Sequence, residues 1–413
     1  MEKPSLTERI LPRKYLSKRL QNYLNFYWAV PLVLVMRSVK PIVHIKICKI
    51  YSERLGHFVQ DVAEQLVRKD QIPENIKVMY YFGEISNSQW ATMVRRTMRI
   101  KGNWLRHLDF WNRVIPGGAE FQHPSSFTES RDIHGLLQSF DARLQFTESE
   151  NLQALNWMQS RGMQENDKYI CLQVRDNSYL RVYNPQKINT EIIEKDNFRN
   201  SDIADYYEAI QTLTSAGYWV IRMGKIVDSP IYPPIPRVID YPFDLDRSDL
   251  LDIWLFANCD ACISTISGPD YIPTVYRKPL LHVNSLPLPG LHAYLPCMTV
   301  PKNLFHKSTN KEFTLKDYLA CNLTQSEEYE TAGVQIMSLT SSELVEAFEE
   351  FLELYLLRSR HPIVNETLQS RFWQEFERGS FYSQYQQYRH QDARICSAWL
   401  RSRKDGFFAE EVE

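Results

Sequence analysis

The chain is short of the features that announce a membrane span, a metal centre or a nucleic-acid partner. Its apolar run Asn25–Met36, NFYWAVPLVLVM, falls well below the roughly 20 residues needed to cross a bilayer. A secretory signal peptide is not expected either, because the stretch before that run is long and no small-x-small cleavage site follows it. The 7 cysteines are odd in number and scattered, which points to free thiols in a reducing compartment. Cys259 and Cys262 form one CxxC, but no second pair follows and both flank an expected buried strand, so zinc is not expected. The 10 histidines contain no HExxH and no i, i+4 pair, and the expected metal content is none. A net charge of −2 gives no bias toward polyanions, and nucleic acid is not an expected partner. Internal repeats and low-complexity tracts are absent.

What remains is a chain of 413 residues, long for one hydrophobic core and therefore expected to split in two. An apolar content of 44% and an aromatic content of 13% suit a well-packed globular protein. The charge is unevenly placed. Lys3, Arg9, Arg13, Lys14, Lys18, Arg19, Arg37, Lys40, Lys46, Lys49 and Arg54 face only Glu2, Glu8 and Glu53 in the first 54 residues. Basic residues around a short aromatic-rich apolar run suit an interfacial anchor on anionic lipid, with an ordinary buried helix as the other reading. Residues 1–40 are accordingly expected to form a membrane-surface segment outside the folded units, peripheral on the cytoplasmic face of the plasma membrane.

Apolar periodicity supplies the elements. Ile42–Tyr51 and Ile76–Phe82 read as strands around a helix near His57–Arg68, a βαβ unit, followed by helices at Asn87–Met98, Trp104–Val114, Ile133–Phe140 and Asn151–Arg161. The second half reads Lys168–Val174 strand, Ile203–Ser215 helix, Gly217–Met223 strand, Arg237–Tyr241 short strand, Asp249–Asn258 helix, then strands Ala261–Thr265 and Pro279–Asn284 around a short helix. Strands alternating with helices in this order call for a doubly wound parallel sheet. Thr340-Ser341-Ser342-Glu343 is a capping box for the helix Leu344–Leu357. The expected division is 41–162, 163–339 and a C-terminal helical extension over 340–413.

Three strand ends of the second sheet then fall on one rim. The first leads into Arg175-Asp176-Asn177, the second into Arg222-Met223-Gly224, and the third into Ser267-Gly268, where small residues let backbone N–H groups and a helix start approach an anion. Two guanidinium forks beside such a turn match a diphosphate. Each arginine also has a structural reading: Arg175 paired with Asp176, and Arg222 snorkelling at a strand end. Ser201 or Asp202 is expected to cap the Ile203 helix. That leaves Arg199 and Asn200 in the same loop unexplained by capping, and available to hold hydroxyl groups.

These stretches, CLQVRDNSYL (171–180), DNFRNSDIADYYEAI (196–210), GYWVIRMG (217–224) and CISTISGPDYIPTVYRKPLLHVN (262–284), resemble bacterial glycosyltransferases of surface-polysaccharide gene clusters. The likeness extends more weakly to ERLGHF (53–58) and the start of the Leu339–Phe351 helix. It implies a GT-B-like α/β fold, in which two Rossmann-type doubly wound domains face a cleft. The N-terminal domain would take a glycan or lipid-linked acceptor and the C-terminal domain a nucleotide-sugar donor. The donor is a substrate, and no cofactor is implied. Members are also distantly similar to fucosyltransferases, in which an arginine matching Arg175 contacts the β-phosphate of the donor. With the strand-end and loop residues read above, Arg175, Asn177, Arg199, Asn200, Arg222, Gly224, Ser267 and Gly268 are expected to bind the donor, and Arg175, Arg222 and the Ser267-Gly268 turn to stabilise the leaving diphosphate in place of a metal ion.

Asp244-Leu245-Asp246 is a DxD, a metal-binding pattern in another glycosyltransferase fold, but it precedes a helix and is expected to be structural. For the base, His57 ends the first strand's turn with Asp61 one helical turn on, a suitable intrinsic pKa for proton abstraction. Two other readings remain open at this level: a sugar-nucleotide epimerase of the same fold, which would need acids or histidines grouped at the cleft, and a non-catalytic membrane-docked nucleotide-sugar-binding module.

Overall fold

The computed structural model describes residues 23–128, 131–183, 194–358, 365–379, 381–382, 387–403 and 406–408. Helix α1 (Phe26–Ser38) leads into β1 (His44–Ile50), α2 (Leu55–Arg68), β2 (Ile76–Phe82), α3 (Ser88–Thr97) and α4 (Trp104–Val114). β1 and β2 run parallel, from His44 beside Ile76 to Ile50 beside Phe82, and parallel bridges at Ile47–Gln122 and Tyr80–Ile100 widen the sheet on both sides. Side-chain alternation gives each face its own cover. Cys48, Ile50, Tyr80 and Phe82 lie in the main core with Phe58, Val59 and Val62 of α2, while Ile47 and Tyr81 face α1 and α4.

That second cluster corrects the expectation that residues 1–40 stand outside the folded units. Ala29, Val33 and Met36, one helical stripe of α1, are buried against Ile47, Tyr81, Leu105, Leu108 and Trp111. Arg37 locks the end of α1 by donating to the Asn112 side chain and to the carbonyls of Ile115 and Pro116. The run is apolar all round, so one face can enter the core and leave another over. Residues 1–22 of the expected segment lie outside the described residues.

The second half starts at α5 (Glu148–Ser160), whose capping box joins Thr147 and Glu150. β3 (Tyr169–Gln173), α6 (Tyr207–Ser215), β4 (Trp219–Arg222), β5 (Val238–Asp240), α7 (Asp249–Asn258), β6 (Ala261–Ser264), α8 (Tyr271–Val275), β7 (Leu280–Ser285) and β8 (Cys297–Pro301) follow. A small antiparallel sheet, β9 (Asn303–His306) between β10 (Lys311–Glu312) and β11 (Val334–Met337), leads to α9 (Ser341–Phe351). The chain closes with α10 (Glu366–Arg378), β12 (Arg394–Ile395) and α11 (Ser397–Ser402). The large sheet has seven parallel strands in the order β12-β8-β7-β6-β3-β4-β5. From β3 the chain winds outward through β4 and β5, then restarts at β6 and winds the other way. Right-handed crossovers therefore put α6 on one face and α7 and α8 on the other.

The doubly wound α/β architecture is the one expected. The C-terminal extension is more than helical, since β12 adds the outermost strand beside β8. The helix expected over Ile133–Phe140 shrinks to a single turn, Leu136–Ser139, held by the Asp132 carboxylate on the N–H groups of Leu136 and Leu137. The two halves are stitched by Arg277, which donates to the carbonyls of Leu137 and Phe140, and by Arg131, which donates to those of Gly290 and Leu291. Among the described residues, no helix is long and apolar enough to cross a membrane.

Candidate functional site

The winding direction reverses between β3 and β6, and the carboxyl ends of these two strands border the crevice where open α/β sheets take their ligands. Arg175 and the Thr265–Gly268 turn sit there. The backbone N–H of Arg175 donates to Thr265 Oγ1 at 2.9 Å, and its carbonyl accepts from the N–H of Ser201 at 3.0 Å. Both strand ends and the loop before α6 are thus tied at one residue. The Arg175 guanidinium pairs with Asp196 at 3.0 Å rather than with Asp176. Asp176 instead accepts from the N–H groups of Ser178 and Asp228.

Arg199 reaches the same turn. Its Nη2 donates to the carbonyl of Ile266 at 2.7 Å. Ile266 has φ +57°, a left-handed conformation that a β-branched side chain strongly disfavours. The strained peptide turns its carbonyl toward the arginine. Burial, and next the positive charge of Arg175, push the Arg199 guanidinium down to about 10, so it stays charged near neutrality. Two cations are therefore held together with Asp196 as the carboxylate on Arg175. Asp270 lies beneath the turn, accepting from Ser264 Oγ at 2.7 Å and from the N–H of Ser267 at 2.9 Å. Burial pushes its carboxyl up to about 6.

Asparagines extend the rim. Asn197 Oδ1 accepts from the side-chain amides of both Asn177 and Asn200. The side-chain oxygens of Asn177 and Asn200 are buried without a hydrogen-bond partner. The carbonyl of Asn200 accepts from Lys302 Nζ at 2.6 Å. Burial lowers this lysine to about 8. Lys302 was not among the expected site residues, although it follows the end of β8 on the same rim. Asp202 caps the turn that leads into α6, accepting from the N–H of Ala204 at 2.9 Å.

Three expected donor residues sit differently. Arg222 is buried, with Nη1 donating to the carbonyl of Ser229 at 2.6 Å and pairing with Asp240 at 3.3 Å. Its position in register with Asp240 on the neighbouring strand turns the guanidinium into the fold, so it braces the loop after β4 and does not join Arg175. Gly224 turns that loop at φ +152°, and a Cβ there would meet Val227 at 2.9 Å. Gly268 faces the other half of the molecule. A Cβ on Gly56, at the start of α2, would lie 2.8 Å from the Gly268 Cα. The small residue at the end of β6 thus permits backbone-to-backbone contact between the halves, and Ser267 alone of that pair borders the rim.

His57, next to Gly56, is exposed, its ring edge-on to Tyr51 at 5.0 Å between centroids. Partial burial and then Arg54 lower its pKa. Asp61 is buried one turn further along α2. The DxD carboxylates are engaged by Arg161, whose Nε and Nη2 donate to Asp244 at 2.6 and 2.7 Å and whose Nη2 also reaches Asp246 at 2.6 Å. Ser248, not either aspartate, caps α7.

No protein-family model matches the chain, and no curated protein matches it. Solved structures similar to it include a glycosyl transferase family 9 protein from Veillonella parvula DSM 2008, at TM-score 0.43 and 12% identity, covering 77% of this chain and 99% of that one. The E. coli ADP-heptose lipopolysaccharide heptosyltransferase II matches at TM-score 0.36 and 11% identity, over 58% of this chain and 84% of that chain. The dodecameric iron-containing heptosyltransferase TibC, solved with ADP-D-β-D-heptose, matches at TM-score 0.37 and 11% identity, over 76% and 77% of the respective chains. None of these three is a fucosyltransferase. Likeness at this level leaves the chemistry to be argued from the residues of the chain itself.

Proposed function

We propose that the chain is a glycosyltransferase that binds a nucleotide-sugar donor at the carboxyl ends of β3 and β6 and passes the sugar to a glycan or lipid-linked acceptor held by the N-terminal half. The observation that carries this reading is that Arg199, bonded to the strained Ile266 peptide, stands near enough to Arg175 at the switch point of the sheet to feel its charge. Two adjacent guanidinium groups repel each other, and a diphosphate offsets that repulsion while accepting bidentate hydrogen bonds. Breaking the bond between the sugar and the diphosphate concentrates negative charge on the leaving group. Arg175 and Arg199, fixed before the reaction starts, stabilise that charge without a metal ion. His57 at the start of α2 is the candidate base for the acceptor hydroxyl. The free cysteines suit a reducing compartment, which supports a cytoplasmic location.

Calorimetric titration of the full chain with GDP, UDP, ADP, TDP and CMP, in EDTA, tests this reading. Binding of at least one nucleotide, lost in Arg175→Ala, is the expected result. Absence of binding across the panel, or binding unchanged in Arg175→Ala, overturns it.

A further inference from the structure

Helix α1 has no polar face: from Phe26 to Met36 it carries no charged side chain. The described residues bury one stripe of it, Ala29, Val33 and Met36. On the opposite side Tyr27 is 83% exposed, Leu34 54% and Val35 55%, with Leu24 and Leu32 also open to solvent. A helix that is apolar all round needs apolar neighbours on every side, and the described residues supply them on one. Helix α4, packed beside it, continues the surface with exposed Trp104 and places its His107 ring edge-on to Trp28 at 6.2 Å.

The charge around this face has one sign. Lys101 and Arg106 are exposed beside α4, and α1 itself carries no acidic residue. Nearby acids are engaged: Asp109 is buried and bonded to Tyr81, Gln122 and Arg113, and Glu120 pairs with Lys40. A second copy of the chain on a two-fold axis would set this cationic patch against itself. An anionic lipid surface meets both requirements, since it takes the aliphatic and aromatic side chains into the headgroup–acyl boundary and pairs with the cations around them.

We infer that the exposed face of α1, with the adjoining end of α4, docks the protein in the plane of an anionic bilayer. The helix lies in the interface, its buried stripe remaining in the N-terminal core. This inference is independent of the sugar-transfer reading, because vesicle binding is measured without a substrate.

The test is co-sedimentation of the full chain with vesicles of phosphatidylcholine alone and of phosphatidylcholine with about a third phosphatidylglycerol. Wild type is expected to sediment with the anionic vesicles and to be partly released by salt. The triple variant Tyr27→Ser, Leu34→Ser, Val35→Ser, altered only on the exposed face, is expected to lose at least about tenfold in partitioning while keeping its melting temperature. Should that variant fail to fold, Lys101→Glu with Arg106→Glu leaves α1 intact and is expected to lose anionic-vesicle binding by a similar factor. Wild type that stays in the supernatant, or variants that sediment like wild type, overturn the inference. So does a wild-type dimer that the triple variant converts to monomer, or vesicle binding that appears only when residues 1–22 are removed.

Discussion

A guanidinium at a strand end serves either a ligand or the fold, and Arg175 and Arg222 divide on that question. Arg222 is buried on Asp240 and the Ser229 carbonyl, so Arg222→Ala strands a carboxylate and is expected to cost about 3 kcal/mol, read as a lower denaturation midpoint. Arg175 borders the crevice and pairs with a partly exposed Asp196. Arg175→Ala is expected to melt near wild type and to lower kcat by a factor of about 10², while Arg175→Lys recovers little because an ammonium cannot reproduce the planar fork. An unfolded Arg175→Ala would make this arginine a strut as well. Histidine behaves differently. Burial beside His292 pushes His282 from the usual 6.5 down to about 4. Between those values the unfolded chain binds the extra proton, so this residue's contribution to stability falls as pH drops through that window. Asp270 acts in the opposite sense: its carboxyl is raised from 3.8 to about 6, so the folded chain holds the extra proton there, and its contribution improves as pH falls. The histidine excursion is worth up to about 3 kcal/mol, so wild type should lose stability relative to His282→Gln from pH 6.5 to 4.5. His282→Gln should flatten that loss, and equal slopes for the two proteins in denaturant titrations at both pH values would refute the assignment.

At the level of elements, close approach is made by two glycines, one from each half. Gly56→Ala puts a Cβ 2.8 Å from the Gly268 Cα, a backbone atom that cannot swing aside, and should destabilise the protein by about 1–3 kcal/mol in thermal or chemical melts. Gly268→Ala meets the Gly56 backbone nitrogen at 3.2 Å and should cost less. Removal of residues 1–36 is expected to unfold the N-terminal half, because Ala29, Val33 and Met36 are core. The alternation of apolar runs made most elements readable from the chain: Ile76–Phe82, Trp104–Val114 and Asp249–Asn258 fall where periodicity puts them. β8 was not readable, because its run Cys297–Pro301 ends in proline and follows a proline-rich loop, features that argue against an inner strand. With β8 went the rim position of Lys302. Arg175 and Arg199 could be placed together because both follow strand ends or precede a helix in one loop. The inward turn of Arg222 depends on the β4–β5 register, and the strain at Ile266 on a backbone angle, neither of which a composition of side chains encodes.

For the whole molecule, the candidate site lies beside the line where the halves meet, with the Ser267-Gly268 turn bordering the arginines on one side and Gly56 on the other. A ligand held there adds its binding free energy to the stability of the folded chain, about 2.7 kcal/mol at a hundred times its Kd. A nucleoside diphosphate that binds should therefore raise the melting temperature by several degrees, scaling with the logarithm of its concentration. Arg222→Ala, which lowers stability but leaves the rim cations in place, should melt lower and keep this shift; Arg175→Ala should melt near wild type and lose it. That crossed pattern distinguishes a ligand group from a strut in one experiment. EDTA should leave the wild-type shift unchanged, since Arg175 and Arg199 supply the positive charge and Arg161 occupies both carboxylates of the DxD. A shift abolished by EDTA and restored by manganese would mean that Asp244 and Asp246 leave Arg161 to hold a metal on the diphosphate, and it would overturn the arginine-based reading of the site.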